Sequence, residues 1–318
     1  MKVLLSLFLM LMAPLIHAEN FPSRGLRLIV PFAPGSGSDV VGRALAAKLG
    51  EQFGQTVTVE NREGAAGLIA AKLTLSHPAD GYTLMLAASP FVISPLLYGK
   101  PPYDPVTDFI PLGKVAMVPN VVLVTAGLPA HSMKEFIAYA KANPGKLNFA
   151  SSGKGTPSQL ETELLKANYG LEMTEVAYKN IGQGMTDLIA GEVSMFYCTL
   201  AAAMPHIKSG RARALAVGGA KRSPSAPEVP TMAQALDAPG YESYTWYGLV
   251  VVAGTPAEVL NRLRAETGKA VQSKEFKDRI AGMGAETVLG GGEEFAQQMR
   301  TESQKWAKLI KKIGLKAD

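Results

Sequence analysis

Three loops in this 318-residue chain set glycine, serine or threonine between an apolar run and the start of a helical pattern. The first, Gly35-Ser-Gly-Ser-Asp39, follows the run 26–32 and precedes an amphipathic stretch over 40–53. Its glycines let the main chain approach a ligand, and Ser38 or Asp39 fits the helix cap. The second is Ser151-Ser-Gly-Lys-Gly-Thr-Pro-Ser-Gln159. It reads as a helix start with Thr156 at the N-cap, Pro157 at the first helical position and Gln159 closing a capping box. The third, Tyr178-Lys-Asn-Ile-Gly-Gln-Gly-Met-Thr186, enters a helix near Gln183. A helix start offers free N–H donors and a partial positive charge, so all three suit an anion. Each alone serves a structural turn equally well; three in one chain favour a site.

The motifs for nucleotide phosphate are missing. Gly153-Lys154 lacks the upstream glycine of a P-loop, and Gly155 stands where its Ser or Thr belongs. Val40 occupies the third-glycine position of the dinucleotide fingerprint that Gly35-x-Gly37 would open. Enzyme chemistry finds as little: there is no Gly-x-Ser-x-Gly elbow and no His-Glu-x-x-His pair. His77, His131 and His206 sit in turns or beside a proline and read as surface or capping residues. Glu161 and Glu163 lie two apart, on different faces of a helix. The single cysteine, Cys198, excludes an intramolecular disulfide and a paired-cysteine zinc site. Its neighbours Phe196, Tyr197 and Leu200 imply an apolar setting that raises the thiol pKa, as for a buried or cleft-lining residue. No cofactor, no metal and no catalytic residue is expected.

These loops need elements to hold them. Lys2, the apolar run 3–16 and Ile16-His-Ala18 have the layout of a secretory signal peptide cleaved after Ala18, residues 1–18. No cysteine follows it for lipid attachment, so the mature chain is expected free in the periplasm as a monomer. About 300 remaining residues suffice for two domains. The formal charge of +5 is scattered, with one cluster at Lys305, Lys308, Lys311 and Lys312. At helical spacing beside Trp306, Leu309 and Ile310, it reads as a solvated face rather than a nucleic-acid patch.

Strand-like runs at 26–32, 56–60 and 82–88 alternate with helical patterns, and the alternation restarts with a run at 120–125. Further short strands are expected at 146–150, 175–178, 194–197 and 213–217, a surface connection over 221–239, and a long strand at 244–252. Helical patterns at 256–272, 274–283 and 292–313 fill the remainder. Repeated βα units imply an α/β fold with mixed, mostly parallel sheets covered by helices. Two lobes follow: 19–120 plus 246–318, and 121–245, with the ligand crevice at the carboxyl ends of the strands.

With those loops in place the chain resembles the tripartite tricarboxylate transporter receptors, the Bug-type extracytoplasmic solute receptors. The resemblance rests on Ile29-Val-Pro-Phe-Ala-Pro-Gly35 with Asp39, Val59-Glu-Asn-Arg62 with Gly64-Ala-Ala-Gly67, and Pro78-Ala-Asp-Gly-Tyr-Thr-Leu84. It continues through Tyr103-Asp-Pro105, Ala150-Ser-Ser-Gly153, Pro227-Glu-Val-Pro-Thr231 and Trp246-Tyr-Gly248. It implies a two-lobed periplasmic binding protein of the Venus-flytrap type that holds a small carboxylate through main-chain amides. The partner implied is a set of membrane permease subunits, or a sensor kinase if the receptor is an orphan. Loops and resemblance together give the candidate contacts Phe32, Gly35, Ser36, Gly37, Ser38, Asp39 and Ser89 from one side. From the other come Ser152, Gly153, Gly155, Thr156, Pro157, Gln159, Tyr178 and Cys198. Two positions depart from the family pattern: Gln159 where a histidine is common, and Cys198 where an Asp is common. An Asp there meets a ligand ammonium, so its replacement points to a di- or tricarboxylate or an aromatic acid without an amino group.

Overall fold

A computed structural model describes residues 21–178 and 181–316, so the expected signal peptide lies outside the described residues. Among the described residues the strands are β1 (Leu26–Val30), β2 (Val57–Asn61), β3 (Thr83–Ala88), β4 (Phe109–Thr125) and β5 (Leu147–Ser151). They continue with β6 (Met173–Ala177), β7 (Met195–Thr199), β8 (Ala212–Val217), β9 (Tyr244–Val252) and β10 (Glu286–Gly291). The helices are α1 (Gly37–Phe53), α2 (Leu68–Leu75), α3 (Pro90–Ile93), α4 (Met133–Ala142), α5 (Pro157–Tyr169) and α6 (Ile181–Ala190). After them come α7 (Leu200–Lys208), α8 (Met232–Ala235), α9 (Ala257–Gln272), α10 (Lys274–Ala281) and α11 (Gly292–Ile313). None of these helices is long and apolar enough to cross a membrane.

The strands form two half-sheets of matching order, β2-β1-β3-β9-β4 and β6-β5-β7-β4-β8. In each, the three βα strands are parallel, and the strands that join the halves run antiparallel to them. This is the two-lobed α/β architecture, with β4 common to both lobes: Phe109 to Pro119 pair with β9, and Asn120 to Thr125 with β7 and β8. Alternation along the strands builds a core on each face of each half-sheet. Leu26, Leu28 and Val30 enter one cluster while Ile29 enters the opposite one. Val122 and Val124 likewise part from Val121 and Leu123.

The first stretch of β4 is absent from the expected strands because Pro111, Gly113 and Pro119 interrupt its apolar run. Register shifts beside Pro111 and Lys114 absorb those interruptions in the folded sheet. β10 was also not expected; its Gly290-Gly291 end reads as a turn until β4 supplies a partner. The connection 221–239 carries the short α8, started by a true capping box of Thr231 and Gln234.

The lobes meet where three chain segments cross. Asn120 N–H donates to the Ser243 carbonyl (3.1 Å), Gly218 N–H to the Asn120 carbonyl (2.7 Å), and Ser243 N–H to the Gly218 carbonyl (2.9 Å). A Cβ on Gly218 would lie 2.1 Å from the Ser243 carbonyl oxygen, so only glycine permits this approach. Gly218→Ala is expected to lose about 1–3 kcal/mol of stability, the range for forced overpacking, in urea denaturation. An unchanged midpoint would show that the crossing tolerates separation.

Candidate functional site

The carboxyl ends of the parallel strands deliver the first two glycine loops to opposite walls of one cavity of about 190 Å3. Ser36, Gly37 and Ser38 line it from the α1 end, with Phe32 beside them. Ser152, Thr156, Pro157 and Ser158 line it from the α5 end. Ile181 at the start of α6 and Thr199, the N-cap of α7, complete the second wall with Phe196, Tyr197 and Cys198. Asn120, Thr245 and Tyr247 form the floor at the lobe crossing. Among the described residues no Asp, Glu, Lys, Arg or His side chain lines this cavity.

Each loop is held both by wall residues and by side chains set behind the wall. Helix α1 starts at Gly37, and its cap is Ser36, whose hydroxyl accepts from Asp39 N–H (3.3 Å); the expectation of Ser38 or Asp39 as the cap is corrected. Asp39 is committed elsewhere: its carboxylate accepts from Gly35 N–H, Arg43 Nε and Asn61 Nδ2, each at 2.9 Å. Burial works to raise that carboxyl, but the donors from Arg43, Gly35 and Asn61 outweigh it and hold it below its ordinary range. Asp39 therefore stays ionised as the knot of the loop. Gly35 takes a left-handed φ of +81°, whereas Gly37 does not.

In the second loop Thr156 occupies the N-cap and Pro157 the first turn, as expected, but the capping box does not form. Gly153 and Gly155 take φ of +96° and +74°, and this tight turn redirects the polar groups. Thr156 Oγ1 donates to the Gly153 carbonyl (2.6 Å), while Gln159 Oε1 accepts from Gly155 N–H (2.8 Å). The other end of the Gln159 amide donates to Glu175 (3.0 Å), so this buried residue braces the loop from beneath. Ser158 Oγ accepts from Ser152 N–H (2.9 Å), tying the two ends of the turn.

Of the candidate contacts, Phe32, Ser36, Gly37, Ser38, Ser152, Thr156, Pro157 and Cys198 share the cavity. Gly35, Asp39, Gly153, Gly155 and Gln159 support its loops, while Tyr178 hydrogen-bonds Asp187 (2.8 Å) outside it. Ser89 faces the other side of β9, where its hydroxyl accepts from Trp246 N–H (3.0 Å). The third loop contributes Ile181, because α6 begins two residues before Gln183. Asn120, Ser158, Thr245 and Tyr247 were not among the sequence candidates. A polar Asn120 at the head of the run Val121-Val-Leu-Val124 was one available signal, and Ser158 lay within the second loop; Thr245 and Tyr247 depend on strand crossing. The Asn120 amide donates to Ser243 Oγ (3.0 Å) and accepts from Thr245 Oγ1 (3.1 Å).

The site is thus rich in neutral donors. Gly37 and Ser38 occupy the first turn of α1, and Ser158 that of α5, where N–H groups have no intrahelical acceptor. Burial pushes the Cys198 thiol up to about 12, and it pushes Tyr247 up to about 12 against a bond from Ser38, so both stay protonated at neutral pH. Such a cavity offers an anion main-chain donors and helix dipoles.

A family model for the tripartite tricarboxylate transporter family receptor matches residues 41–315. The chain belongs to this family, a family of Bug-type solute-binding receptors. Protein BugT of Bordetella pertussis is 34% identical over 303 residues, covering 95% of this chain and 93% of that one. The structure of Rpa4515 from R. palustris with adipate superposes with a TM-score of 0.83 at 35% identity, covering 93% of this chain and 99% of the other. MatC from Rhodopseudomonas palustris with bound malate gives 0.80 at 28% identity, covering 91% and 100%.

A Cβ on Gly37 would meet the Tyr247 hydroxyl at 2.8 Å. Gly37→Ala is expected to lower stability by about 1–3 kcal/mol, and Tyr247→Phe in the same chain should restore most of it. A thermal melt of the three variants checks this; an additive double variant would refute the contact. Cys198 should resist a disulfide reagent at pH 8 until the protein unfolds, since thiolate is the reactive form.

Proposed function

We propose that this protein captures a small carboxylate without an ammonium group in the cleft between its lobes and delivers it to the membrane subunits of a tripartite transporter. The observation that carries this reading is the convergence of the α1 and α5 N-termini on a cavity whose described walls hold no ionised side chain. Carboxylate oxygens take the main-chain N–H groups of Gly37, Ser38 and Ser158. The ligand's body lies between Phe32, Pro157, Phe196 and Ile181. An ammonium would have no carboxylate to meet there, in line with Cys198 at the rear wall. Residues 19–120 with 246–318 form one lobe in this reading, residues 121–245 the other, and the protein works in the periplasm as a binder that leaves its ligand unchanged. The bound adipate and malate of its structural relatives support the ligand class.

The magnitudes agree. Micromolar capture requires about 8 kcal/mol. Three charge-assisted hydrogen bonds at about 2 kcal/mol each and two helix termini at about 1 kcal/mol each reach that scale. A ligand touching both walls favours the closed state by its differential affinity.

Calorimetric titration with adipate, malate, benzoate and glutamate tests the reading. At least one acid lacking an amino group should bind with micromolar affinity, glutamate should bind at least tenfold more weakly, and the radius of gyration in solution scattering should shrink at saturation. Preference for glutamate would sink the proposal.

A further inference from the structure

Helix α5 belongs to the second lobe through its packing on β5 and β7, yet its outer face rests on the first lobe. Leu160 is fully buried in the cluster that holds Ile93, Leu97 and Trp306, with Leu164 and Ala167 packed alongside. One residue further along, the buried Glu161 lies in a cavity of about 340 Å3 between α5, β4, β9 and α11, on the Trp246 face of β9. Its Oε1 accepts from Ser243 Oγ at 3.0 Å and stands 3.8 Å from Lys305 Nζ on α11; its Oε2 accepts from Tyr241 Oη at 3.4 Å. Lys305 stays on the solvated face expected for the C-terminal lysines, its side chain 41% exposed, while its ammonium reaches inward toward Glu161. It also lies over the Trp306 ring at 4.3 Å.

Ser243 Oγ takes the Asn120 amide N–H, and Asn120 takes Thr245 Oγ1, and both of these residues line the ligand cavity. A continuous path thus runs from the cleft floor to Glu161, four residues beyond the Pro157 that opens α5. We propose that Glu161 and Lys305 are positioning residues for the ligand site: their ion pair across the lobe seam holds α5 so that its N-terminus faces α1 over the cleft. This rests on the reading of the cleft as a carboxylate site.

The charged and titratable groups around Glu161 among the described residues are Lys305 and Glu302 from α11, Lys114 from β4, Tyr197 from β7, Tyr244 from β9, and Tyr241 and Glu242 from the segment before β9. Glu302 accepts from Trp246 Nε1 (2.7 Å) and Gln298 Nε2 (2.8 Å), and Lys114 donates to Gln298 Oε1 (2.7 Å), so that end of the cluster is separately satisfied. Burial raises the Glu161 carboxyl above its ordinary value, with Lys305 the first of the opposing influences. Without Lys305 the carboxyl rises further, and above that raised pKa a carboxylate is left buried without its cation, the costly way to break such a pair. Below it the group is neutral and the penalty disappears, so the defect is present at alkaline pH and is lost as pH falls.

The test compares wild type with Lys305→Met, Glu161→Gln and the double variant. Hydrogen-exchange protection factors of the first α5 turn are read across a pH series spanning the carboxylate-to-alkaline range, together with adipate affinity. Of the chain's two tryptophans, Trp306 lines the seam cavity and Trp246 donates to Glu302 in it, so both report on it by fluorescence. Lys305→Met should lose about tenfold in α5 protection and adipate affinity at the alkaline end of the series and recover at its acid end. The double variant should be close to wild type and flat with pH. Wild-type protection in Lys305→Met, or a loss independent of pH, overturns the positioning role, as does altered protection with unchanged adipate affinity. Failure of wild type to bind adipate counts against the ligand proposed for the cleft, and the protection factors then decide the role of the pair.

Discussion

Everything in this molecule is referred to the crossing of Asn120, Gly218 and Ser243, where three main-chain hydrogen bonds join the lobes. β4 passes through this point from one half-sheet to the other, so both lobes share a strand rather than a linker. The absence of a side chain at Gly218 lets the strands close to this distance. The same residues extend side chains in two directions: Asn120 and Thr245 toward the cleft, Ser243 toward the buried Glu161. A movement of one lobe against the other is therefore felt at once in the cleft floor and in the seam.

The cleft illustrates a division of labour between main chain and side chain. Its walls present helix termini and neutral groups, while the ionised and amide side chains nearby, Asp39 and Gln159, are turned inward to hold the loops. An ionised side chain in the wall would fix one partner charge and bring its own desolvation cost. Main-chain donors bring no such cost, because their positions are already fixed by the helices they begin. In the proposed reading, selectivity is left to the apolar residues of the cavity, Phe32, Phe196 and Ile181 among them.

The seam behind β9 is the opposite kind of environment. There Glu161, Glu302 and Lys114 are gathered beside Trp306, with Lys305 reaching in from the solvent side and Trp246 donating to Glu302. A buried ion network of this sort is weak evidence for stability but effective at fixing one arrangement over others. Its members come from both lobes, which is why α5 is anchored on two surfaces at once.

The sequence by itself determined what depends on neighbours along the chain. Period-2 apolar runs located most strands, and glycine, serine and proline at helix starts located the three loops, because local sterics and capping act over a few residues. The ordered family motifs carried the assignment of class. Side-chain direction at those loops was another matter: Thr156 and Gln159 read as a capping box until two left-handed glycines turned the backbone, and Asp39 read as a cap although Arg43 and Asn61 claim it. The first half of β4 was hidden by its prolines, whose missing donors matter only once partners are assigned. Tertiary structure alone decided that Asn120, Thr245 and Tyr247 floor the cleft. It alone brought Glu161 to Lys305, 144 positions further along, since such contacts are set by how lobes pack and leave no periodicity in the chain.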